Sequence, residues 1–172
     1  MQWSYKKWLL GTGVNQTVPI ALKYILLIRL GCQKMARRLA GTIIIDGTDD
    51  EFWPQRDEHT HRVFNVETIL NTEQPASTIN VPDVRWGDEC RVELKLLAKL
   101  LDSNAVQIEG NAKLFEGTSE NNDDLQDEQD FTFIVPTAGT PAFYRLQLKN
   151  TEAFGGDHAE IGLSLTNSRL EE

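Results

Sequence analysis

A chain of 172 residues with 40% hydrophobic and 25% charged positions is long enough for one domain with a real core, too short for two full ones, and too apolar to be disordered throughout. Its formal charge of −9 argues against nucleic acid as a partner, because phosphate binding needs clustered Lys and Arg, and the same charge is repelled by anionic membranes. Two cysteines, Cys32 and Cys90, build neither a disulfide framework nor a zinc-ligand spacing.

The charge is divided sharply along the chain. Residues 1–41 hold seven bases (Lys6, Lys7, Lys23, Arg29, Lys34, Arg37 and Arg38) and no acid, which leaves ten bases against 26 acids beyond them. Such a break separates a basic N-terminal segment, 1–38, from an acidic domain, 39–172. The apolar run Val18–Ile28 imitates a secretion signal, but Lys23 interrupts it and no small-x-small cleavage site follows, so a cytoplasmic location is favoured over export. It is also too short and too charged to span a bilayer, which takes about 20 apolar residues. Two other readings compete. Ile20–Leu30 could form an amphipathic helix that docks on the domain or on a membrane surface, the one route to membrane contact. Alternatively Met35 is the true start and the preceding residues are upstream sequence, which is the preferred reading.

From Leu39 onward β-branched and aromatic residues alternate with polar ones in short runs separated by Gly, Pro, Asn and Asp. Eight strands are expected: 39–45, 62–70, 77–81, 90–101, 105–115, 131–135, 142–149 and 159–166. In the last of these Ala159, Ile161, Leu163 and Leu165 share one face. Cys90–Leu101 also carries a helical stripe, but Val92, Leu94, Leu96, Ala98 and Leu100 alternate, and Val106, Ile108, Ala112 and Leu114 repeat that spacing. A hairpin turning at Ser103-Asn104 is therefore expected. Eight strands and no glycine-rich phosphate loop point to an all-β fold, an antiparallel sandwich.

If consecutive strands run antiparallel, the loops alternate between the two ends. One end then receives 46–58, 83–89, 116–130 and 152–157, and with them most of the acids. Carboxylates and amides on flexible loops suit Ca²⁺, which takes six to eight oxygens. The candidate ligands are Asp46, Asp49, Asp50, Asn122, Asp123, Asp124, Asp127 and Asp157. The bland alternative is a solvated acidic surface that keeps the protein soluble. His59 and His61, with His158 as a third ligand, form a weaker transition-metal candidate.

This collection of aspartates at one end resembles the organisation of C2-type calcium-binding sandwiches. The stretch Ala112-Lys-Leu-Phe-Glu-Gly-Thr-Ser-Glu120 with Asp123-Asp124-Leu125 is similar to segments of uncharacterised bacterial β-sandwich proteins, a resemblance that implies no function.

No serine elbow, Cys/His nucleophile or zinc-protease helix motif is present, so nothing points to an enzyme. The expected function is a non-enzymatic binding or interaction module that takes Ca²⁺ at its acidic end. Alternatives are a carbohydrate-binding or carbohydrate-active protein, with Phe52, Trp53 and Trp86 stacking on a sugar, or a subunit of an assembly, including a homo-oligomer.

Overall fold

The computed structural model describes residues 36–50, 56–117, 119, 124–150 and 156–170, and every regular element among them is a β-strand. The N-terminal segment, with the expected helix and Met35, lies outside the described residues. So do Phe52, Trp53, Asn122 and Asp123.

Nine strands follow one another: β1 (Arg37–Asp49), β2 (Glu58–Leu70), β3 (Ala76–Asn80), β4 (Val84–Trp86), β5 (Cys90–Leu100), β6 (Val106–Phe115), β7 (Leu125–Val135), β8 (Ala142–Lys149) and β9 (His158–Arg169). They form two antiparallel sheets. Sheet A has the order β2-β1-β9-β8; sheet B has β3-β5-β6-β7, with β4 also paired to β5. β3 lies along Lys95–Lys99 and β4 along Cys90–Val92, so the two are one edge strand broken around Pro82, whose ring nitrogen has no hydrogen to donate.

The all-β expectation holds, and so does the β5–β6 hairpin, whose turn carries Asn104 at φ 63°. Several elements differ from the sequence reading: β1 runs on to Asp49, β2 starts at Glu58 and β9 extends to Arg169, each longer than expected, and β4 was not expected at all. β4 is too short to show an alternation. β1 begins at Arg37, so Arg37 and Arg38 belong to the sheet rather than to the basic segment. β7 begins at Leu125, so half of the acidic run expected as loop is strand. Its acids are tolerated because Glu128 and Asp130 point outward, where both accept from Asn111 Nδ2, at 2.7 and 2.8 Å.

The core lies between the sheets. Ile43 and Ile45 of β1, Ile161, Leu163 and Leu165 of β9, and Val92, Leu94 and Leu96 of β5 meet Ile108 and Leu114 of β6, all essentially inaccessible to water. Each such side chain contributes about 1.5–3 kcal/mol of transfer free energy. Two glycines let large rings enter. Phe131 covers Gly110 on the neighbouring strand, filling the space a Cβ would take, and the Trp86 ring lies where a Cβ at Gly47 would be 2.6 Å away. Trp86 is therefore a core residue, 5% exposed, and not a loop aromatic available to a sugar.

At the end opposite the acids the core is closed by a polar knot. Buried Arg37 donates from Nε to Asn167 Oδ1 at 2.8 Å and from Nη2 to the carbonyls of Asn167 and Thr137. The open side of β8 is covered by β7 side chains: Gln129 Nε2 donates to the Gln147 carbonyl at 2.7 Å, and Lys149 N donates to Asp127 Oδ2 at 3.0 Å. This blunts an edge that would otherwise pair with another strand.

Candidate functional site

The inward parity of several strands continues past the last apolar residue and ends in polar groups. On β1 the inward series Ile43, Ile45, Gly47 terminates in Asp49; on β5 the series Leu94, Val92 terminates in Cys90; ahead of Ile161 and Ala159 on β9 comes Asp157. All three are buried. One carboxylate oxygen from each aspartate and Cys90 Sγ lie within 4.8 Å of one another, and among the described residues no other group of three acid, thiol or imidazole side chains is drawn together in this way.

Around this core of the site stand Glu116, just after β6, and Asn150, just after β8. Asn150 Nδ2 donates to Glu116 Oε2 and, at 3.5 Å, to Asp157 Oδ2. Asp157 Oδ1 accepts from the Asp50 backbone N at 2.7 Å, and the Asp157 carbonyl accepts from Asn150 N at 2.9 Å. Two glycines make room. The Asp49 carboxylate occupies the space a Cβ would fill at Gly87, which sits at φ 62° beside Asp88 at φ 58°, and the Asp50 carboxylate does the same at Gly156. The left-handed turn at Gly87-Asp88 thus brings the chain over Asp49 with no side chain in between.

The electrostatics follow from burying like charges together. Burial pushes the Glu116 carboxyl up to about 7, with the hydrogen bond to Asp157 and the charge of Asp157 acting in the same direction and the Asn150 amide opposing. Burial likewise raises the Cys90 thiol well above the ordinary thiol range, and Asp49, Asp157, Glu116 and Glu89 add to the rise, so Cys90 stays protonated.

The acidic ends of β1, β6, β8 and β9 do meet, but the expected ligands divide. Asp49 and Asp157 are in the cluster. Asp50 adjoins it through its backbone N. Asp46 has the opposite parity on β1: it lies on the outer face of sheet A, where it bonds His61 Nδ1 at 2.5 Å. Asp127 lies within β7, where it caps Lys149. Asp124 is exposed and its carbonyl accepts from Glu116 N at 3.0 Å.

No protein-family model and no curated protein matches the chain. Glu116, Asn150 and Cys90 are not among the ligands expected from the sequence, although Glu116 falls in a segment assigned to the acidic end. Counting strand parity two residues beyond the last core residue would have flagged Cys90 from Val92, and Glu116 from Leu114; nothing local marks Asn150. The histidines do not assemble a centre: His59 Nδ1 lies 3.1 Å from Thr48 Oγ1, and His158 Nδ1 lies 2.8 Å from the Gly156 carbonyl.

Proposed function

We propose that the chain is a non-enzymatic binding module whose acidic end takes a Ca²⁺ ion. The observation that carries this reading is the convergence of Asp49, Asp157 and Glu116, with the Asn150 amide, at the buried ends of separate strands. Carboxylates buried side by side repel and lose hydration, a cost that protons or a cation must offset. A hard divalent cation suits oxygen donors, and a thiol that stays protonated is not in competition for it.

A second reading is favoured by the proximity of Cys90 Sγ to Asp49 and Asp157: a thiophilic cation such as Zn²⁺ would take the thiolate and both carboxylates, releasing the thiol proton.

Thermal unfolding of the full chain separates these. Under the first reading millimolar Ca²⁺ raises the melting temperature over that in chelator, by the equivalent of about 2.7 kcal/mol when Ca²⁺ is in 100-fold excess over its dissociation constant. Asp49→Asn and Asp157→Asn abolish the shift, and Cys90→Ser retains it. If Zn²⁺ stabilises and Cys90→Ser removes the effect, the second reading replaces the first. Melting curves identical with each cation and with chelator would refute both.

A further inference from the structure

The two outer faces of the sandwich are built differently. On sheet B charges occur along most of the face and are matched within it: Lys99 pairs with Glu109 at 2.6 Å and Lys113 with Glu128 at 3.2 Å. On sheet A the register brings Asn65, Thr42, Ser164 and Phe143 into one row across four strands, and Val63, Ile44, Gly162 and Arg145 into the next. Arg145 stands at the β8 end of that second row, and the other ionised groups lie on the rows to either side, the Arg38–Glu67 pair on one and Asp46, Glu160 and Lys149 on the other. Three bases and three acids cancel there, in a chain whose formal charge is −9.

These rows have relief. Phe143 stands 77% exposed and Val63 50% exposed. Between Phe143 and Ile44 a hollow of about 370 Å³, with Arg145 at its border, opens over Gly162, where an added Cβ would meet nothing within 4 Å. From this we infer that the outer face of sheet A is the contact surface for the same face of a second copy of the chain, a surface separate from the acidic end and independent of any cation there.

Four physical points select a second copy. An isologous contact needs a projection and a recess on one and the same surface, and Phe143 and the Gly162 hollow supply both. The size is near what is needed: strands of 13, 13, 12 and 8 residues, at about 3.3 Å per residue and about 4.8 Å between strands, make a face of about 730 Å² for each copy, close to the share one partner gives to a standard interface. Its arrangement, exposed apolar side chains on the inner rows with most of the charges on the rows beyond and Arg145 on the edge strand, follows the anatomy of such contacts. Two chains with excess negative charge must also meet where no net charge opposes them. Extension of the sheet along β8 is blocked by Gln129 and Asp127.

Sedimentation or light scattering of the full chain at about 10–100 μM tests this. The mass expected is that of two chains of 19.5 kDa. Gly162→Arg, which enters open space and leaves the fold intact, and Phe143→Asp each weaken the association about thirtyfold or more, the loss of a central aromatic anchor, with unchanged far-ultraviolet circular dichroism. Thr132→Arg, on the outer face of sheet B, leaves it unchanged. A single-chain mass for the unaltered protein over this range overturns the inference. So does a two-chain mass retained by both Gly162→Arg and Phe143→Asp, since the copies would then meet through some other surface.

Discussion

Replacing Glu116 by Gln tests the electrostatic account of the acidic end without touching the core. The Glu116 carboxyl is raised from 4.5 in the unfolded chain to about 7 in the folded one. Between those values the folded state keeps a proton that the unfolded state releases. Stability is therefore undiminished below the lower value, falls as pH rises through the window, and levels off above the upper one. The full shift would correspond to about 3.4 kcal/mol, and because Glu116 is only half-buried, screening by water reduces this to about 1–2 kcal/mol. The glutamine keeps an oxygen for Asn150 Nδ2 and an amide donor for Asp157, and it does not titrate. Urea unfolding in chelator, at about pH 5 and at about pH 8, gives the comparison. The unaltered protein should lose about 1–2 kcal/mol more than the variant between the two conditions, as a shift of midpoint at constant slope. Parallel behaviour of the two proteins, or a steeper loss in the variant, would refute the reasoning.

Three further substitutions probe the architecture. Gly110→Val places side-chain atoms in space held by the Phe131 ring, and should lower the unfolding free energy by about 2–3 kcal/mol, whereas Gly162→Ala, in open space, should change it by less than about 0.5 kcal/mol. Equal effects in urea unfolding would contradict the packing described for β6 and β7. Arg37→Met leaves the buried Asn167 side chain and the Thr137 carbonyl without their donor, and should cost about 2–3 kcal/mol, read as a lower urea midpoint.

The sandwich itself is legible in the sequence, since period-two alternation is a local property that each strand carries whatever its neighbours are. Leu94, Leu96 and Ala98 on β5, and Ile161, Leu163 and Leu165 on β9, declare their buried face from spacing alone. Alternation of chain direction was enough to send the acidic segments towards one end. β4 escaped notice because three residues are too few to show a period, and the start of β7 because acids on the outward side of an edge strand read as loop.

Which acids share a site was decided by the tertiary structure. Asp46 and Asp49 are three residues apart and so of opposite parity, and only the buried parity leads to Cys90 and Asp157. Glu116 and Asn150 join them from strands 34 residues distant, a proximity set by the packing of one sheet on the other. The uncharged row likewise emerges only when four strands are placed side by side in register, since Thr42, Asn65, Phe143 and Ser164 carry no common signal in the chain. Burial and pairing between distant segments depend on how the whole core fills, and that is a property of the assembled sheets rather than of any one stretch of sequence.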